Sequence, residues 1–87
     1  MNKNHITVGY GSLVAVRREF TMKPIVYQIL GYTDLTRNIV SAEHPLGKGL
    51  MNRVKGEKVL IDDAQQYYFV EILDVKDPPI INRKIPQ

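Results

Sequence analysis

The sequence predicts an α+β domain in which an antiparallel sheet of four to five strands curls around one short helix. Apolar residues recur at every second position over several stretches, which is typical of strands with one buried face. A single proline introduces a stretch with helical spacing, and strands on either side of it favour a helix packed on one sheet face. The 87 residues suffice for one modest hydrophobic core and no second one.

The first two strands are predicted to form a hairpin. Residues 8–19 alternate in polarity, and Gly9 and Gly11 indicate a bulge or a close approach where this strand begins. Its predicted inner face consists of Val8, Tyr10, Ser12, Val14 and Val16. A turn at residues 21–24 leads to a second strand at residues 25–30, which is apolar on both faces and is expected to be central or covered on both sides. The short turn makes this pair antiparallel.

The middle of the chain is predicted to hold the helix. Residues 32–38 contain turn formers and little apolar periodicity, so we expect a loop, followed by a very short strand at residues 39–40. Pro45 suits the first helical position because its missing N–H has no partner there anyway. A helix is therefore expected over residues 45–54, with Gly56 as its C-terminal stop.

Two further strands are predicted at residues 58–61 and 66–75. The residues expected to form the core are Val14, Val16, Ile29, Leu46, Leu50, Val59, Val70 and Ile72. We expect a single domain over residues 1–87, with its globular part at about 8–76 and tails at 1–7 and 80–87.

The composition restricts the class of function. The net charge is +3 and the charges are scattered, which argues against direct nucleic-acid binding. The chain has no cysteine, which excludes disulfides and cysteine-based zinc sites. No apolar run is long enough to span a membrane, and the start of the sequence lacks a signal-peptide pattern. We therefore expect a cytoplasmic protein without a membrane partner.

No group of residues predicts catalysis. Asp62 and Asp63 are adjacent, so on a strand they would point to opposite faces, and a solvated turn is expected rather than an acid–base pair. His5 and His44 lack the spacing of metal ligands, and we expect His5 on the surface and His44 as a helix cap or surface residue. We predict no catalytic residue, no metal, no cofactor, no small-molecule substrate and no enzymatic activity.

The aromatic residues allow two interpretations. They could line a ligand pocket, or they could belong to the core and the sheet faces. The strand pattern favours the second interpretation for Tyr10, Tyr27, Tyr68 and Phe69. Tyr32 is expected in an exposed loop.

Several motifs between residues 8 and 75 resemble the C-terminal domain of the bacterial Gre transcript-cleavage factors, GreA and GreB. The matching motifs are GSLVAV at residues 11–16, YQILG at 27–31, IVS at 39–41, HPLGKGL at 44–50 and GEKV at 56–59. The most specific stretch is VSAEHPLGKGL, in which a Pro-Leu-Gly-Lys helix start follows a short Ile-Val-Ser strand. The order and spacing of the motifs match along about three quarters of the chain.

The resemblance implies an FKBP-like fold and a partner, bacterial RNA polymerase. In the family this domain docks on the rim of the polymerase secondary channel, and an acidic residue and a proline at the helix start are implicated in that contact. They correspond to Glu43 and Pro45. The first-turn N–H groups of a helix also favour a nearby carboxylate. The partner-binding site predicted on these grounds consists of Ser41, Glu43, His44, Pro45, Leu46 and Gly47, although a core role is the stronger expectation for Leu46.

Two departures from the family pattern shape the functional hypothesis. The serine that usually precedes the proline is His44 here, a weaker cap. The family's N-terminal coiled-coil hairpin, whose acidic tip holds a catalytic magnesium ion, has no counterpart in the seven residues before Val8. If the chain is the whole protein, we expect a polymerase-binding module or elongation regulator that docks at the rim, where it could block other channel factors, without transcript-cleavage activity of its own.

Two alternatives stay open. A peptidyl-prolyl isomerase-like protein is one, because the implied fold is FKBP-like, but fold alone is a weak argument and the absence of tryptophan opposes it. The other is a generic protein-interaction or oligomerisation domain that pairs through a free sheet edge.

Overall fold

The structure is a computed structural model that describes residues 6–77. Its elements are β1 (Leu13–Arg18), β2 (Ile25–Leu30), β3 (Ile39–Ser41), α1 (Pro45–Leu50), β4 (Lys58–Asp62) and β5 (Tyr67–Lys76). The five strands form one sheet in the order β3-β2-β1-β5-β4, and this sheet curls around α1. The predicted α+β class is thus confirmed. His5 and the predicted tail at 80–87 lie outside the described residues.

The sheet is mixed rather than antiparallel throughout. The pairs β1–β2, β1–β5 and β4–β5 are antiparallel as expected, but β3 runs parallel to β2, with Gln28 opposite Ile39. Between these strands the predicted loop contains a one-turn 3-10 helix, Leu35–Arg37, closed by Asn38 in the left-handed conformation. This compact turn brings the chain back beside β2 in the same direction, which corrects the expected antiparallel arrangement.

The first strand is shorter than predicted, because residues 8–12 form a tight turn. Gly11 has φ +89°, a conformation that residues with a Cβ rarely adopt, and the Ser12 side chain accepts a hydrogen bond from Gly9 N–H at 2.9 Å. Val8 and Ser12 are buried as expected, but Tyr10 is exposed. The placement of Tyr10 on the inner sheet face was wrong because the turn interrupts the alternation.

The strand β2 is not covered on both faces, contrary to expectation. Its bounds agree with the prediction, yet Ile25 and Val26 are 41% and 51% exposed. The helix α1 packs mainly against β3 and β4, so it does not cover the end of β2 that carries Ile25. Only Ile29 of this strand is fully buried.

The helix ends one turn earlier than predicted. It spans Pro45–Leu50 rather than residues 45–54, and Asn52 follows in the left-handed conformation with φ +69°. Two glycines within six residues lower its intrinsic stability, so it extends only where packing holds it. Gly56, expected as the helix stop, lies instead in the turn before β4 with φ +95°.

The core agrees with the sequence prediction and extends it. All eight predicted residues are buried, and five more hydrophobic residues join them: Val8, Ile39, Val40, Ile61 and Val75. The last strand places Tyr68, Val70 and Ile72 inward as expected. A register shift between Ala15 and Val16 marks a β-bulge in the β1–β5 pairing, and this bulge explains how Val75 points inward three residues after Ile72.

Candidate partner-binding site

The predicted site is a tight loop that leads from β3 into α1. Ser41 organises it: its Oγ accepts a hydrogen bond from Glu43 N–H at 3.0 Å, and its carbonyl oxygen accepts one from His44 N–H at 3.0 Å. The N–H of Ser41 donates to Thr33 Oγ1 at 2.9 Å, which ties the loop to the turn after β2. These three bonds hold the approach to the helix in one conformation.

His44 caps the helix with its side chain. Its Nδ1 accepts a hydrogen bond from Leu46 N–H at 3.1 Å, and its backbone is extended, with φ −69° and ψ 146°. Pro45 occupies the start of the helix as predicted. The predicted cap role of His44 is confirmed, and a ring nitrogen here replaces the hydroxyl oxygen that a serine would supply.

Two of the six predicted site residues are structural. Leu46 is only 5% exposed and belongs to the core. Gly47 is buried, and a Cβ built on it would collide with the carbonyl oxygen of Ser41. These two buried residues hold the loop against the core. Ser41, His44 and Pro45 are half-buried, and Glu43 is exposed.

Glu43 carries the free charge of the loop. Within the described residues the ion pairs involve other acids, namely Asp34, Glu57 and Glu71, so no neighbouring cation neutralises Glu43. Its backbone N–H is fixed by Ser41, and the first turn of α1 follows it with a partial positive charge. The loop thus presents an exposed carboxylate on a backbone held in place, an arrangement that suits a basic partner.

An apolar groove opens on the concave face of the sheet and reaches the same helix start. Its volume is about 850 Å³. It is lined by Val16, Arg18, Thr21, Met22, Lys23, Pro24, Ile25, Tyr27, Leu46, Tyr68 and Val70. We call it the concave groove. Of α1, only Leu46 near the start of the helix lines the groove, because the helix packs mainly against β3 and β4 and leaves Tyr27 and Tyr68 uncovered.

One rim of the concave groove is basic. The guanidinium carbon of Arg18 lies 3.8 Å from the centroid of the Tyr68 ring, in the geometry of a cation–π contact. Burial raises the pKa of the Tyr68 phenol, and the positive charge of Arg18 opposes that shift. Lys23 adds a second positive charge to the lining. The groove therefore combines an apolar floor with cationic edges.

Sequence reasoning did not predict the concave groove. The strand pattern placed Tyr27 and Tyr68 on the inner face, and both do pack partly against the core. They also line the groove, which is the interpretation that the pattern did not favour. The missing information was which part of the inner sheet face α1 covers, because only Leu46 at the start of the helix reaches the groove.

The described residues offer no other obvious chemistry. Residues 6–77 contain no group of three His, Cys, Asp or Glu side chains that could hold a metal ion. Asp62 ends β4 with an exposed side chain, and its Oδ1 accepts a hydrogen bond from Ala64 N–H at 3.1 Å, as expected for a turn. No helix in this part of the chain is long and apolar enough to cross a membrane.

Comparison with protein families gives one match over most of the chain. The model described as "Transcription elongation factor, GreA/GreB, C-term" matches residues 3–77. A curated relative from Mycoplasmopsis pulmonis, "Transcription elongation factor GreA", is 39% identical over 72 residues, which are 80% of this chain and 45% of the relative. A protein of the same name from Orientia tsutsugamushi is 29% identical over 75 residues, covering 84% of this chain and 47% of the relative.

Solved structures show the same fold. Gfh1 of Thermus aquaticus superposes with a TM-score of 0.69 at 18% identity, covering 83% of this chain and 49% of that one. The GreA/GreB factor of Nitrosomonas europaea gives a TM-score of 0.62 at 18% identity, covering 87% and 63%. The chain thus spans about half the length of the curated relatives it matches.

Proposed function

The chain belongs to the GreA/GreB family of transcription elongation factors through their C-terminal domain, and on this premise we propose that it binds bacterial RNA polymerase. The proposed contact is the helix-start loop, residues 41–47, at the rim of the secondary channel. A partner of this kind places the protein in the cytoplasm. The relatives are about twice as long as the chain, so the activity of a whole family member is not transferred to it.

The observation that carries the proposal is the exposed carboxylate of Glu43 on a loop whose backbone is held in place. Its N–H is bonded to Ser41, Pro45 fixes the helix start beside it, and the His44 side chain caps the helix. The acidic residue and proline that the family resemblance implicates in polymerase binding are therefore held on a rigid loop. A rigid loop loses little conformational entropy when a partner binds it.

Direct binding to RNA polymerase tests this proposal. A fluorescently labelled 87-residue chain is titrated with bacterial core polymerase, and unlabelled full-length GreA is then added as competitor. We expect saturable binding that excess GreA reverses, because both would occupy one rim. Absence of binding would contradict the proposal, and binding that GreA does not displace would move the contact away from the rim.

We further propose that the 87-residue chain does not itself stimulate transcript cleavage. The family resemblance assigns that activity to an acidic tip that holds a magnesium ion, and residues 6–77 contain no group of three His, Cys, Asp or Glu side chains that could hold a metal ion. Purified backtracked elongation complexes give the test. The chain should leave the transcript intact while full-length GreA in a parallel reaction shortens it. Transcript shortening by the chain alone would refute this part of the proposal.

The concave groove favours one second candidate, an isomerase acting on prolyl peptides. Its two tyrosines and the Leu46 side chain form an apolar surface that could receive a proline ring. We rank this candidate lower because the basic rim formed by Arg18 and Lys23 is not needed to bind an apolar ring. A tetrapeptide isomerisation assay separates the candidates: we expect the uncatalysed rate, and acceleration that Tyr68→Ala abolishes would favour the isomerase.

A further inference from the structure

The strand β4 forms one edge of the sheet. Only β5 pairs with it among the described residues, so its other side is free. The opposite edge, β3, has three residues, whereas β4 has five. A free strand edge carries unpaired N–H and C=O groups and is a template for pairing with another chain.

The hydrogen bonds on either side of the β4–β5 ladder show which groups of β4 face outward. Ile72 N–H donates to Glu57 O at 2.9 Å, and Asp63 N–H donates to Gln66 O at 3.0 Å. Bonded and non-bonded pairs alternate in an antiparallel ladder, so the odd-numbered residues of β4 bond to β5. The backbone groups of Lys58, Leu60 and Asp62 therefore point to the free edge.

The charges along this edge are self-complementary. In an antiparallel pairing of two β4 strands centred on Leu60, Leu60 faces its own copy, and Lys58 of each chain faces Asp62 of the other. Lys58, Leu60 and Asp62 would then exchange backbone hydrogen bonds with the β4 strand of the other copy. Their side chains share the exposed face of the sheet, so each lysine stands directly opposite a carboxylate. Opposite charges in such cross-strand positions stabilise a pair.

The same register also joins two apolar surfaces. Leu60 lies opposite Phe69 of β5 within one chain, and the two side chains are 50% and 42% exposed. Pairing through Leu60 would extend this contact into a row of four apolar side chains across both copies. Shifting the register by two residues would place Lys58 opposite Leu60 and lose both charge pairs.

We propose that two copies of this chain associate through β4, antiparallel and centred on Leu60, so that their sheets join into one. The arrangement is a twofold-symmetric interface in which each residue meets its counterpart reciprocally. It is independent of the polymerase contact, which lies in residues 41–47. A single strand pair buries little surface, so the association is weak and depends on concentration.

Charge exchange tests the proposal. Sedimentation velocity of the unmodified chain at rising concentration should show reversible conversion to a dimer. Lys58→Asp places two acids opposite each other at both ends of the interface and should weaken the dimer by about tenfold or more. The double variant Lys58→Asp/Asp62→Lys exchanges the two charges and should restore it. Mixing Lys58→Asp with the single variant Asp62→Lys should give a heterodimer, because each chain then supplies the charge that the other lacks.

Two controls separate interface effects from folding effects. Lys55→Asp makes the same charge change at an exposed position outside β4 and should leave association intact. Asp62→Asn keeps an acceptor for Ala64 N–H while removing the charge, and it should weaken the dimer without changing the thermal midpoint. A chain that stays monomeric at every concentration would overturn the proposal. The proposal would also be overturned if Lys58→Asp left the dimer intact, or if the double variant failed to restore it.

Discussion

Gly47 of α1 lies directly against the carbonyl group of Ser41. A Cβ at position 47 would stand 2.9 Å from the Ser41 carbonyl carbon and nearer still to its oxygen, which leaves no room for a side chain. The helix and the end of β3 are therefore in contact through backbone. The exposed Glu43 lies on the loop between these two points, so their close approach fixes the position of the proposed polymerase contact.

This contact predicts that alanine substitutions at two glycines of α1 differ widely in their effect on stability. Gly47→Ala should destabilise the protein by about 1–3 kcal/mol, because the new methyl group meets backbone that cannot move aside. Gly49→Ala is the matched control. A Cβ at Gly49 would meet the terminal Cδ1 of the Ile61 side chain at 2.6 Å rather than backbone, and alanine favours the helix by about 1 kcal/mol, so the loss of stability should be smaller. Chemical denaturation measures the free energy of unfolding of both variants, and equal values for the two would contradict the packing described.

Removing the helix cap formed by His44 should have a smaller effect on stability. His44→Ala removes the acceptor of the Leu46 N–H bond and should cost about 0.5–2 kcal/mol of stability. His44→Asn retains an acceptor of similar reach and should recover most of the loss. Thermal unfolding of the three proteins provides the comparison. If alanine and asparagine gave the same midpoint, the imidazole would not be acting as a cap.

Leu50 should be among the most sensitive core positions. It is fully buried at the C-terminal end of α1, so Leu50→Ala leaves a cavity and should lower the free energy of unfolding by about 2–5 kcal/mol. Leu35, which is exposed, provides the control: Leu35→Ala should change stability by less than about 0.5 kcal/mol. A mild effect at Leu50 would argue against the packing of α1 on the sheet.

The lowered pKa of Asp34 gives a prediction about how stability depends on pH. The Thr36 hydroxyl donates to Asp34 Oδ1 at 2.7 Å and holds the pKa of this carboxyl below its ordinary value of 3.8. A depressed pKa contributes stability that is present above the unfolded pKa and lost as pH falls through the folded one. Thr36→Ala should therefore raise the Asp34 pKa in an NMR titration, whereas Thr36→Ser should keep it low. An unchanged pKa in the alanine variant would exclude this hydrogen bond as the cause.

The sequence predicted most of the sheet and core because alternation of apolar residues reports directly on burial. It was wrong where local backbone geometry interrupts that alternation. The turn at Gly11 puts Tyr10 in solvent, and the bulge beside Ala15 brings Val75 into the core. Gly9 and Gly11 did indicate an irregularity at the start of the strand, but not that it would turn Tyr10 outward, and the bulge beside Ala15 has no comparable signal in the residue types.

The candidate site was predicted less completely for a different reason. Pro45 and its neighbours identified the helix start, and the structure leaves Glu43 exposed there on a loop that is otherwise half-buried or buried. The concave groove depends on which part of the inner sheet face α1 leaves uncovered, and the pattern of residue types does not report this placement. The parallel pairing of β3 escaped prediction likewise, because it depends on a compact 3-10 turn.

The most direct test of the polymerase contact is the affinity of a Glu43→Lys variant for core RNA polymerase, with Glu19→Lys as a control for the same charge change outside the loop. We predict that Glu43→Lys weakens binding by at least about tenfold, or about 1.4 kcal/mol, with a nearly unchanged thermal midpoint, while Glu19→Lys binds like the parent. Equal affinity of Glu43→Lys and the parent protein, with parent binding demonstrated in the same titration, would contradict the proposed role of this loop.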